Sequence, residues 1–239
     1  MGSTNLKARL KLQGALVGWL LFGLAMGAAP GGAAAQKKKQ TRPHRETNAS
    51  RQARIARTIH ATYAFPWEAF GGGGYMRWTS GEYTKKNNEV SWAAQADRYI
   101  SPKLAIVGAA QGSFGFAHQQ LPLQYPQIPR PQINEYFFTG GANYRFYQRE
   151  KTALSAQATG GVAWGIFSKG AKGLTGPEVG LWQDGFRPAF TVSFNADYNL
   201  YPNLAVRISP TYVGSTFGGE VQNNLGVNAG IIYRFGRQK

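Results

Sequence analysis

Phe190-Thr191-Val192-Ser193-Phe194-Asn195-Ala196-Asp197-Tyr198 alternates between two kinds of side chain along its whole length. Every second residue is apolar: Phe190, Val192, Phe194, Ala196 and Tyr198 share one face. Thr191, Ser193, Asn195 and Asp197 share the other. A period of two puts successive side chains on opposite sides of a β-strand. The same alternation recurs in segments of about ten residues. Leu225, Val227, Ala229, Ile231, Tyr233 and Phe235 stand against Gly226, Asn228, Gly230, Ile232 and Arg234. Leu204, Val206, Ile208 and Tyr212 oppose Ala205, Arg207, Ser209 and Thr211. Residues 136–146 and 154–166 repeat the pattern cleanly, residues 104–116 and 90–98 less so. In 67–78 the run Gly71–Gly74 leaves the faces unmarked, although Trp67, Ala69 and Tyr75 read outward and Glu68 inward. Pro210 lacks a ladder N–H and is expected at a bulge or strand end.

The connections give the order of these eight segments. Ile100–Lys103, Gln148–Lys151 and Asn199–Asn203 are short turns, whereas about 79–88, 118–132, 168–186 and 214–224 are long. Strict alternation of long and short connections predicts an all-β, eight-stranded antiparallel up-and-down transmembrane β-barrel of meandering hairpins. In that topology both termini are periplasmic and the long loops extracellular.

A soluble lipocalin-like barrel also alternates, but its polar face meets water and needs Lys and Glu. Here the polar face is mostly Ser, Thr, Asn, Gln, Gly and Ala, which suits a narrow lumen. Aromatic residues gather at both ends of the apolar face. Trp67, Tyr144, Phe146, Tyr198, Tyr233 and Phe235 mark the periplasmic end. Tyr75, Trp92, Phe116, Tyr136, Trp164, Phe190 and Tyr212 mark the outer end. Two such girdles belong at lipid headgroups.

The net charge of +16 invites a nucleic-acid reading, but its distribution argues against one. Residues 36–58 hold eight Lys and Arg against Glu46, while 59–239 carry only +6. Residues 1–35 read as a signal peptide: Lys7, Arg9 and Lys11, an apolar run to about Met26, then Ala33-Ala34-Ala35, with Gln36 as the expected new N-terminus. Residues 36–61 read as a basic, flexible, solvated periplasmic linker, with contact to anionic lipid or cell-wall carboxylates as the alternative. Residues 62–239 form the barrel.

Trp67-Glu68-Ala69-Phe70-Gly71-Gly72-Gly73-Gly74-Tyr75-Met76-Arg77 at one end and Ile231-Ile232-Tyr233-Arg234-Phe235-Gly236 at the other resemble the OmpA/OmpX-like small outer-membrane barrels. The resemblance covers about 62–236. It implies an outer-membrane monomer, contact with lipid and delivery by the barrel-insertion machinery. Many such barrels end on the final aromatic residue; here Gly236-Arg237-Gln238-Lys239 follows Phe235.

No catalytic pattern emerges, and no cofactor or metal ligand set. The chain has no cysteine, and His44, His60 and His118 lack metal-ligand spacing. Gly71–Gly74 lacks the Lys of a phosphate loop. Lipid A deacylase-type barrels carry His-x-Ser, whereas Gln119 and Gln120 follow His118. The expected role is therefore structural or surface interaction, without catalysis. Three rivals stand beside it: a narrow porin-like channel, a lipid-modifying enzyme and a secreted lipocalin-like barrel. The Pro-rich stretch 118–132 is a candidate interaction loop. Finally, the up-and-down topology puts Glu68, Asp97, Arg145, Asp197, Arg207 and Arg234 in one lower layer of the lumen. There they are expected to form a structural ion-pair cluster that closes it.

Overall fold

The computed structural model describes residues 47–81, 84–119 and 130–236. The signal-peptide reading, the basic run 36–46 and most of the Pro-rich loop lie outside the described residues. Eight long strands form one closed antiparallel barrel. They are β1 (Trp67–Trp78), β2 (Asn87–Tyr99), β3 (Leu104–Phe116), β4 (Gln132–Gln148), β5 (Thr152–Ile166), β6 (Gly185–Tyr201), β7 (Leu204–Ser215) and β8 (Gln222–Phe235). Each pairs with its neighbour in sequence, and β1 closes on β8. Two short strands, Thr84–Lys85 and His118–Gln119, join the first two long loops.

Alternation decides which side of the wall each residue faces. In β6, Thr191, Ser193, Asn195 and Asp197 are buried, while Phe190, Val192, Phe194 and Tyr198 are exposed. All eight strands orient as the alternation predicts. The outward face is apolar: Ile106, Phe138, Val162, Phe194, Ile208 and Ile231 are exposed between the two aromatic ends. Of the thirteen girdle residues, eleven are exposed; Tyr136 and Tyr212 are half-buried beneath neighbouring rings. On the outer end the rings touch laterally, Phe114 with Tyr136 at 5.8 Å, Tyr136 with Trp164 at 5.5 Å and Trp164 with Phe186 at 5.7 Å. On the other end Phe235 stacks between Trp67 and Tyr233.

The Gly71–Gly74 run keeps one register against both β2 and β8. At the β1–β8 seam Gly72 faces Gly230, and a Cβ on Gly72 would come within 2.3 Å of the Ala229 carbonyl oxygen. Only glycine permits that approach.

Two expectations need correction. Pro210 causes neither a bulge nor a strand end: β7 runs through it, with Pro210 exposed opposite Val227. Its ring sits on the outer face, where it costs only ladder pairing to β6. The bulges lie elsewhere, at Arg145/Tyr147 and Asn199/Tyr201.

The second correction concerns the linker. From Asn48 to Tyr63 the chain is a helix, α1. Thr47 caps it, its side chain accepting from the Ser50 N–H at 3.3 Å. Good helix formers fill the interior, and Ile55, Thr58, Ile59 and Thr62 recur at helical spacing as its less exposed face. The like charges of Arg51, Arg54 and Arg57 do not prevent this, because they project to solvent. Arg54 also reaches Glu150 at 3.6 Å.

Candidate functional site

The six charged residues expected in the lower lumen come from six strands and meet in one buried layer. Strand register supplies the first contacts. Glu68 stands directly opposite Arg234 on β8 and Asp97 on β2; Asp197 stands opposite Arg207. Arg207 grips Asp197 with two bonds, Nε to Oδ1 at 2.7 Å and Nη2 to Oδ2 at 2.9 Å. This fork-to-carboxylate geometry is the strongest form of the pair. Glu68 is the hub. Its Oε1 accepts from Arg145 Nη2 at 2.5 Å and from Arg234 Nε at 2.7 Å. Arg207 approaches Glu68 at 3.6 Å and Asp97 at 3.8 Å. Asp97 is completed by amides, Gln95 donating at 2.6 Å and Asn143 at 3.3 Å.

All six are nearly inaccessible, with at most 3% exposure. Three carboxylates balance three guanidiniums, so the layer can be ionised and neutral together. A buried ion is tolerated only when paired and hydrogen-bonded. The two bulges sit beside this layer. Each adds an outward residue after an inward one, so that Phe146 and Tyr147 follow Arg145, and Leu200 and Tyr201 follow Asn199. The inward residues keep their aim while the strand bends.

Two aromatic residues complete the layer, and alternation alone did not single them out. Tyr99 donates to Glu68 Oε2 at 3.3 Å and accepts from Arg145, whose guanidinium lies 4.2 Å above its ring. Tyr63, at the end of α1, lies beneath the layer. Its ring stands 4.9 Å from the Arg145 guanidinium and 5.6 Å from that of Arg234. Its hydroxyl donates to the Arg149 carbonyl at 2.8 Å and accepts from Asn199 Nδ2 at 2.9 Å. Burial pushes its phenol above the ordinary tyrosine range. Tyr63 thus underlies the charged layer.

Above the layer the lumen is filled by small polar side chains. Thr159 bridges Thr139 at 3.0 Å and Thr191 at 2.6 Å, and Ser193 donates to Thr211 at 3.0 Å. A cavity of about 40 Å³ remains there, between Phe70, Gln111, Thr139, Asn195 and Asn228. It has room for about three waters.

The outer third holds a large apolar cluster beside buried polar side chains such as Asn134 and Asn224. Met76, Trp78, Ile133, Phe137, Val213 and Phe217 form a buried cluster with Phe167, Val179 and Leu181 of the loop 167–184. Phe167 meets Phe217 edge-on at 5.1 Å. Trp182 ties the loop over the mouth, its N–H donating to Ser80 O at 2.9 Å and its indole to Thr79 O at 3.2 Å. Two carboxyls lie within this end, Glu89 on β2 and Glu135 on β4, exposed by 1% and 0%. Sequence reasoning missed both. Their signal was the alternation itself, which continues past the predicted strand ends: Glu89 shares a face with Ser91 and Asp97, and Glu135 with Phe137 and Thr139.

Among the described residues no group of three or more His, Asp or Glu side chains gathers as a metal site.

No protein-family model and no curated protein sequence matches the chain. Solved structures do. The outer membrane protein OprG from Pseudomonas aeruginosa aligns with a TM-score of 0.50 at 11% identity, covering 72% of this chain and 96% of that one. Neisserial surface protein A aligns at 0.47 and 14%, covering 71% and 97%. Ail of Yersinia pestis, solved in complex with the heparin analogue sucrose octasulfate, aligns at 0.45 and 14%, covering 70% and 97%. The chain has the fold of the small eight-stranded outer-membrane β-barrels.

Proposed function

We propose that the protein is a monomeric outer-membrane barrel that serves as a closed, non-catalytic anchor. Its short turns, α1 and both termini face the periplasm, and its long loops face outward for surface interaction. Delivery is by the barrel-insertion machinery, and lipid surrounds the wall. The apolar outward face supports the membrane over a soluble lipocalin-like barrel, because such a surface in water would be unusually large and sticky.

The observation that carries the closed-anchor reading is closure at both ends by unrelated means. Below, Tyr63 underlies a neutral layer of six paired charges. Above, the loop 167–184 completes an apolar core. A hydrated ion crossing the lumen would have to break the guanidinium–carboxylate bonds and then enter the apolar core. A narrow channel is disfavoured by the same features. The lipid-modifying enzyme is disfavoured by the occupation of the lumen charges by one another.

Planar-bilayer recording of the purified protein tests this. Insertion without stable conductance steps is expected. Large, steady steps from the wild-type chain would overturn the closed reading.

A further inference from the structure

Beside α1 at the periplasmic end lies a groove of about 770 Å³. Its walls include Ala56, Ile59 and Tyr63 of the helix, Phe65 of the link to β1, Tyr99, Ile100 and Pro102 at the β2–β3 turn, and Gln148 of β4, with His60 and Ser101 adding polar surface. These side chains are largely apolar, and Ile100 stands 60% exposed at the border. Every charged residue next in sequence to a lining residue is basic: Arg57, Arg98, Lys103 and Arg149, all exposed. Among the described residues none of the four is paired with a carboxylate: Glu150 reaches Arg54, and Asp97, next to Arg98, turns into the lumen layer toward Arg207.

Two of these cations lie against exposed aromatic rings, Trp67 of the girdle and Tyr147 at the β4 bulge. The Arg98 guanidinium lies 5.5 Å from the Trp67 ring, and that of Arg149 lies 5.6 Å from the Tyr147 ring. Rings of this kind sit at headgroup level, so the cations beside them meet the phosphates of the adjoining leaflet. α1 carries Arg51, Arg54 and Arg57 and no acid, the charge pattern of a helix that lies against an anionic surface.

We propose that this groove and its basic border hold an anionic glycerophospholipid, one acyl chain in the groove and the phosphate among Arg57, Arg98 and Lys103. The inference rests on the membrane-anchor reading and adds a lipid class and a site to it. Charge complementarity selects the occupant. A cell-wall carboxylate would use the cations and leave the apolar groove empty. A zwitterionic lipid would fill the groove and leave the cations without net counter-charge. An anionic phospholipid uses both.

The test uses the full mature chain in nanodiscs containing equal phosphatidylglycerol and phosphatidylcholine, followed by native mass spectrometry of retained lipid. Wild-type protein is expected to retain phosphatidylglycerol in preference. Changing Arg57, Arg98 and Lys103 to Gln should lower that retention by about fivefold per cation. Ala56→Trp, which fills the groove from an exposed position, should release lipid without altering the border charges. Heat-dependent gel migration reports the barrel independently. Equal retention of both lipids, or retention unchanged by Ala56→Trp, by a protein that still migrates as a barrel overturns the lipid site alone. So does capture on purified cell-wall sacculi without phosphatidylglycerol preference. A wild-type chain that does not enter the bilayer overturns the site and the anchor reading together.

Discussion

The two ends of the lumen are both buried, yet opposite in chemistry. The lower end is built from charge: three acids, three guanidiniums and two tyrosines, each acid contacted by at least one arginine. The upper end is built from Trp78, Phe137, Phe167 and Phe217, and its two carboxyls have no cation near them among the described residues. Glu89 lies against Ser113 and Glu135. Ser113 donates to Glu135 Oε2 at 3.1 Å, while Glu135 Oε1 and both oxygens of Glu89 have no hydrogen-bond donor among the described residues. The difference separates two ways of closing a narrow tube. Ion pairs cross-link six strands and hold them at fixed positions. An apolar core tolerates movement, but any polar group stranded in it costs stability.

The largest expected effect breaks the lower end. Glu68 is the sole carboxylate partner of both Arg145 and Arg234 among the described residues. Glu68→Ala should therefore cost about 3–5 kcal/mol, the penalty for stranding buried charge. Urea titration in detergent, read by gel migration of unheated samples, measures it. A loss below about 1 kcal/mol would mean that water already reaches the layer.

The upper end should yield less, and locally. Phe217→Ala removes a ring that is 1% exposed, at a cost of about 3 kcal/mol. Its signature should be faster protease cleavage within 167–184, while the lower layer stays intact. Cleavage at the wild-type rate would show that the loop is held by Trp182 rather than by the core.

The smallest effect has the opposite sign. Glu135→Gln replaces a stranded carboxyl by an amide that can donate to Glu89. It should stabilise the barrel by about 1–2 kcal/mol in the same titration. The equivalent loss of an acid below, at Glu68, destabilises. If Glu135→Gln also destabilised, the upper pair would have a counter-charge, and the contrast between the ends would fail.

Much of this was legible from residue order. Alternation settled which way Asp197 and Arg207 point, and the long–short rhythm of the connections settled their height. Glu89 and Glu135 escape the sequence reading because local alternation marks those strands only over 90–98 and 136–146. The ladder in fact continues to Asn87 and Gln132. Tertiary pairing extends a strand beyond the residues whose own composition announces it. The helix left a clear local trace, Thr47 as cap with Ile55, Thr58, Ile59 and Thr62 in period, which the run of positive charge overshadowed. Its role left none. Tyr63 meets Asn199 and Arg145, and Trp182 meets Thr79, across separations of 82 residues or more, and local patterns do not encode such meetings.

The seam between β1 and β8 has a consequence for assembly. These strands are the first and last of the barrel, so they meet across the longest chain separation in the fold, and their zipping bears the greatest entropy of loop closure. Gly72 and Gly230 lie face to face there without side chains. Bare backbone can draw together with no rotamers to sort and no methyl groups to clear. The open sheet carries two unpaired edges until that instant, a state that lipid does not tolerate and that invites pairing with other chains. Glycine at the seam therefore acts on time rather than on strength: it shortens the interval during which a nearly finished barrel is still an exposed sheet.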